Sequence, residues 1–96
     1  MSANPNEITV SDEKALKVAE ALNATTLRML RVLAHERLDI TTIAKRVGLS
    51  EAYISGQVRV LEELKLIRVN YEPGKRGIRK VCELAVTKVT IIIVDK

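Results

Sequence analysis

The sequence predicts an α+β fold in which four helices precede a two-stranded β-hairpin and a β-branched C-terminal segment. Two observations carry this reading. Up to about residue 61, apolar residues recur at the i, i+3, i+4 spacing of helices with one buried face. From Leu66 the period shortens to two, with Ile67, Val69 and Tyr71 alternating with Arg68 and Asn70. With 96 residues the chain makes one domain with a single core, small enough that a partner subunit would help to cover its apolar surface.

Residues 1–10 contain Pro5 and no helical period, so they are expected to form a loose arm. Ser11 is placed to cap a first helix, with Asp12 and Glu13 where the helix dipole favours negative charge and Ala15, Val18, Ala19 and Leu22 on the apolar face. Asn23 caps a second helix that turns Leu27, Leu30, Leu33 and Ala34 inward and leaves Arg28 and Arg31 exposed. Thr41 or Thr42 opens a short third helix with Ile43, Ala44 and Val47 inside, and Gly48 ends it because glycine tolerates positive φ at little cost. Ser50 caps the fourth, whose inner face is Ile54, Val58 and Leu61. The loop from Pro73 to Gly77 has hairpin turn chemistry, and the return strand runs from Ile78 to Leu84. Val86 to Val94 is rich in β-branched residues and is read as a strand, with a short helix as the alternative. The expected organisation is an arm (1–10), a domain (11–84) and a C-terminal dimerisation element (85–96).

Composition narrows the function. Tyr53 and Tyr71 are the only aromatic residues, too few for the stacking platforms that unpaired bases need, so duplex is the better nucleic-acid partner. The net charge of +4 suits a polyanion, and Lys75, Arg76, Arg79 and Lys80 concentrate it within six residues. A single cysteine, Cys82, excludes an internal disulfide and a thiolate cluster and points to a reducing cytoplasm; it is expected to be buried beside Leu84. The N-terminus lacks a basic start followed by a long apolar run, so no secretory signal is expected. The apolar run at Val89–Val94 is too short to span a membrane.

Residues 40–61 carry the functional signal. Ala44 lets two helices cross closely and Gly48 supplies the left-handed turn. Leu49, Ile54 and Val58 plug the angle between the helices, with Ile40, Ile43 and Val47 behind them. Together these are the helix-turn-helix pattern, whose second helix enters the major groove, and the basic hairpin that follows is its wing. The chain resembles winged helix-turn-helix repressors of the ArsR-like group, with the MarR-like group close behind. The resemblance covers roughly residues 12–84 and is strongest at Leu22–Leu33 and Val58–Val69. It implies the fold and DNA binding. It does not imply metal sensing, because paired cysteines are missing from the Leu38–Ala44 region, and the terminal segment carries only Asp95 where other sensors place His and carboxylate ligands. Gly56 is a second departure, since family members often place a larger polar residue there.

The sequence is therefore read as a sequence-specific double-stranded DNA-binding regulator of transcription, homodimeric, with no cofactor, small-molecule ligand or membrane partner evident. The candidate recognition residues are Ser50, Glu51, Ala52, Tyr53, Ser55, Gln57 and Arg59, with Gln57 suited to an adenine edge and Arg59 to a guanine or a phosphate. The candidate wing residues are Lys75, Arg76, Arg79 and Lys80, for phosphates or a narrow minor groove. A solvated hairpin with edge-protecting charge is the plainer account of that run. RNA binding and protein assembly are the alternative functions. His35 reads as a helix-end residue and Ser50 as a cap, and no paired acid and base remains to support an enzyme.

Overall fold

A computed structural model of the chain describes residues 6–94. The element order is β1 (Glu7–Val10), α1 (Asp12–Ala21), α2 (Ala24–Val32), β2 (Leu38–Asp39), α3 (Ile40–Val47), α4 (Glu51–Glu63), β3 (Ile67–Gly74), β4 (Gly77–Leu84) and β5 (Lys88–Ile91). The fold is α+β, a winged helix-turn-helix. Val18, Met29, Ile43, Ile54, Val58, Leu61 and Leu66 form the centre of an aliphatic core, with Cys82 packed among them.

The helix ends follow local chemistry. Ser50 Oγ accepts from Tyr53 N at 3.1 Å, capping α4 as expected. Asn23 and Thr26 form a reciprocal capping box on α2, and the fully buried Thr26 hydroxyl also donates to Ala21 O at 2.7 Å. That bond ties α2 to the end of α1. Gly48, at φ 76, closes α3 as the turn requires. At the end of α4, Leu66 N bonds to Leu61 O and Lys65 N to Glu62 O, which is a Schellman motif. Lys65 sits in the left-handed position at φ 64, where glycine is usual.

Several expectations need correction. Residues 7–10 are not a loose arm: they form β1, paired in parallel with β5 through Ile8↔Val89 and Val10↔Ile91, and Val10 is buried. The alternation of Glu7, Ile8, Thr9 and Val10 was the missed signal. Residues 1–5 of the expected arm lie outside the described residues. α1 buries Ala21 in place of Ala19. α2 turns Thr26 and Met29 inward with the expected Leu33, while Leu27 and Ala34 are exposed; the Thr26 hydroxyl is satisfied inside by its bond to Ala21 O. Asp39, not Thr41 or Thr42, caps α3, its Oδ1 accepting from Thr42 N at 2.9 Å. Leu49 does not plug the interhelical angle. It lies exposed in the turn, and Ile54 and Val58 fill the angle.

The wing is also more than a two-stranded hairpin. β2 adds to it through Leu38↔Cys82 and Asp39↔Val81, giving a three-stranded sheet in the order β2-β4-β3. Pairing of β3 with β4 continues to Gly74↔Gly77, so the turn is only Lys75-Arg76, shorter than the expected loop. Space is tight at Gly74, where a Cβ would lie 3.3 Å from both the Gly77 carbonyl oxygen and the Arg79 side chain. Residues 86–94 contain the expected strand, shortened to β5.

Candidate nucleic-acid interface

Packing decides which side of α4 faces outward. Ile54, Val58 and Leu61 are at most 1% exposed, so the helix presents the opposite side to solvent. Glu51, Ala52, Gly56 and Arg59 are exposed along it and Ser55 is half-buried. Gly56 has open space where a Cβ would stand, so no close approach requires a glycine there. Tyr53 is 43% exposed, while the Ser50 hydroxyl is already engaged as a cap. Gln57 departs from the rest of the candidate set. It is half-buried and lines a groove with Lys17 and Glu20 of α1 and with Val60 and Leu64, on the flank of α4 rather than its outward stripe.

The four wing cations fall into two pairs. Lys75 and Arg76 form the exposed turn at the tip, and among the described residues neither has an ion-pair partner. Arg79 is engaged, its Nη1 donating to Asp39 Oδ2 at 3.2 Å. Lys80 is half-buried, with its Nζ 5.9 Å from the centroid of the Tyr71 ring, within cation–π range. Thr41, at the start of α3, shares a hollow with Lys75, Arg76 and Arg79, which places the wing tip and the beginning of the helix-turn-helix on one concave surface. Thr41 is legible in the sequence only as a possible cap and Asp39 not at all, because a two-residue strand and its ion pair leave no periodic trace.

Asp39 occupies a junction. Hydrogen bonds from Thr42 hold its carboxyl below the ordinary carboxylate range; partial burial opposes them, and the Arg79 charge lowers it by less than either. Cys82 is fully buried, and that burial pushes its thiol up to about 11. Among the described residues no group of three His, Cys, Asp or Glu is arranged to hold a metal, and no helix is long and apolar enough to cross a membrane.

A second surface lies apart from α4 and the wing tip. Leu16 and Ala19 of α1 and Ile91 to Val94 line an open apolar groove. Leu16 is 61% exposed and Ile93 93%. Exposed aliphatic side chains gathered in this way mark an association surface more often than a solvated one.

No protein-family model and no curated protein matches the chain. Solved structures do. The homodimeric winged helix-turn-helix DNA-binding domain Mb0332 of Mycobacterium bovis, described as a possible ArsR-family transcriptional regulator, is 23% identical with a TM-score of 0.66. That match covers 76% of this chain and 65% of the other, so this chain spans just under two thirds of that domain. Reduced HlyU from Vibrio cholerae is 23% identical with a TM-score of 0.64, over 77% of this chain and 75% of its own. NolR from Sinorhizobium fredii is 22% identical with a TM-score of 0.63, over 78% and 72% respectively. These likenesses establish the winged helix-turn-helix fold. The ArsR-like resemblance seen at Leu22–Leu33 and Val58–Val69 agrees with the description of the Mycobacterium bovis domain.

Proposed function

We propose that the domain is a homodimeric regulator of transcription that binds double-stranded DNA, with the outward side of α4 in the major groove and the hairpin tip on the backbone or in the minor groove. The observation that carries this reading is the combination of an uncovered stripe on α4, from Glu51 to Arg59, with the exposed Lys75-Arg76 turn. Arg59 is the residue placed to reach a base edge or a phosphate. Lys75 and Arg76 supply charge, which binds any duplex and weakens with salt through counterion release.

Duplex binding by wild type, Arg59→Ala and Arg76→Ala, on a selected site and on random sequence at several salt concentrations, tests it. Arg59→Ala is expected to cost about 1–3 kcal/mol on the selected site and less on random duplex. Arg76→Ala is expected to lower the salt slope by about one per subunit on both. If neither substitution changes binding at any salt, the domain does not read DNA in this way.

The dimer is proposed to form through α1 and residues 85–94, whose exposed aliphatic groove is the kind of surface an isologous contact covers. The neighbouring Mycobacterium bovis domain is described as homodimeric. Light scattering is expected to give a dimer for the wild type and a monomer for Leu16→Glu. A wild-type monomer would remove the dimer from the reading, and a Leu16→Glu dimer would move the interface elsewhere.

A further inference from the structure

The hairpin of β3 and β4 is anchored to the helices by charge as well as by backbone pairing. Glu72 and Arg79 are directly opposed in the β3–β4 register, so both side chains leave the same face of one rung. Arg37 and Asp39 flank Leu38 on the short arm that runs into α3. The Arg37 guanidinium pairs with the Glu72 carboxylate, and Arg79 Nη1 meets Asp39 Oδ2 at 3.2 Å. One rung is therefore held from both of its strands by two residues of one arm, with charges alternating in sign through Arg37, Glu72, Arg79 and Asp39. The other oxygen of Asp39 accepts from Thr42 N at 2.9 Å, so the arm end of this arrangement is fixed to the first turn of α3. Beyond the rung, residues 73–78 are all exposed, and among the described residues none of them is in an ion pair.

We infer that Arg37, Glu72, Arg79 and Asp39 form a clamp that sets the angle of the wing tip relative to the helix-turn-helix, and that Arg79 serves as a strut rather than as a phosphate contact. The consequence for duplex selectivity rests on the proposed DNA reading; the clamp itself does not. A single exposed ion pair holds little, but two that share one rung and one arm restrain the same motion. The lever is long enough to matter. Lys75 lies three residues past the rung, about 10 Å at the rise of a strand. A tilt of about 15° at the rung would carry the tip roughly 2.5 Å, enough to break a hydrogen bond to a phosphate oxygen. Glu72 and Asp39 are thus positioning residues, whose loss changes how the wing and α4 engage a duplex together.

The test uses the full chain with Glu72→Gln, Arg79→Gln and Asp39→Asn, the last keeping a side-chain oxygen that can cap α3. Nitrogen-15 relaxation of residues 73–78 without DNA is expected to show greater mobility in all three variants. The ratio of selected-site to random-duplex affinity is expected to fall about threefold in each, the size that one ion pair of this exposure supplies. The salt slope on random duplex is expected to stay at the wild-type value for Arg79→Gln, unlike Arg76→Ala. Unchanged relaxation in all three variants would overturn the clamp and leave the DNA reading intact. A slope lowered by about one per subunit in Arg79→Gln would overturn the strut and return Arg79 to the phosphate contacts. Failure of the wild type to bind duplex would overturn the consequence for selectivity together with the DNA reading, while relaxation still decides the clamp.

Discussion

Ile43, Ile54 and Val58 hold α4 against α3 from within the core, each at most 1% exposed, whereas the outer hairpin is held by ion pairs whose side chains are between 21% and 54% exposed. The hollow at the hairpin tip reaches the start of α3 at Thr41, but the positions of the two regions answer to different conditions. Aliphatic burial involves no titrating group and no charge for dissolved ions to screen. Exposed ion pairs are screened over about 8–10 Å at ordinary ionic strength. α4 is thereby a fixed part and the hairpin tip an adjustable one. The proposed base contact lies on the fixed part, and the proposed phosphate contacts of Lys75 and Arg76, which demand less precise placement, lie on the adjustable one.

The sharpest way to break this contrast is to remove packing from the fixed part. Ile54→Ala is expected to cost about 2–5 kcal/mol in urea unfolding, because Ile54 is 0% exposed and its neighbours cannot fully collapse onto the gap. Arg76→Ala in the same assay is expected to stay within about 0.5 kcal/mol. A loss below about 1 kcal/mol for Ile54→Ala would mean that the helix-turn-helix is not held by its core.

Asp39 joins the two regions, so its loss is expected to be intermediate. Asp39→Ala removes a helix cap and should cost about 1 kcal/mol at neutral pH. The carboxyl is held below its unfolded value, so the folded state binds fewer protons than the unfolded state in that window. The stability it contributes is full above the unfolded pKa near 3.9 and is lost as pH falls through the lower folded value. Unfolding measured between about pH 2 and 5 should therefore show a shallower pH dependence in Asp39→Asn than in the wild type. Identical slopes would mean that the Thr42 hydrogen bonds do not hold the Asp39 carboxylate charged in the folded domain.

Cys82 probes the sheet that carries the wing. With its thiol fully buried and raised to about 11, it should react with alkylating reagents only as fast as the domain opens, and no covalent dimer should form under thiol block. Rapid labelling of the native protein would show that β4 is not packed against the core. The smallest expected effect is a gain. Lys65→Gly relieves a left-handed backbone at the end of α4 and should stabilise by roughly 0.5–1 kcal/mol, read as a shift in urea midpoint.

Much of the fold was legible because it is written locally. Ser50 and Asn23 cap, Gly48 turns, and Ile54, Val58 and Leu61 repeat at the helical period, so α2, α3 and α4 could be placed from short-range chemistry alone. The basic turn was equally plain, since Lys75 and Arg76 are adjacent between two glycines. What the sequence could not determine depends on partners far along the chain. β1 has a strand-like alternation in only four residues, and its partner β5, which supplies its hydrogen bonds, lies some eighty residues later. β2 is two residues long and exists only against β4. Gln57 has the right chemistry for a base contact, but it lies half-buried in a groove shared with Lys17 and Glu20, a neighbourhood that only the placing of α1 beside α4 creates. Arg79 looked like one of four equivalent wing cations until Asp39, forty residues earlier, was brought against it. Short-range capping and periodicity specify elements residue by residue. Which face is covered and which charge is already paired is decided only when distant segments meet, because burial and Coulomb energy depend on separation in space and not along the chain.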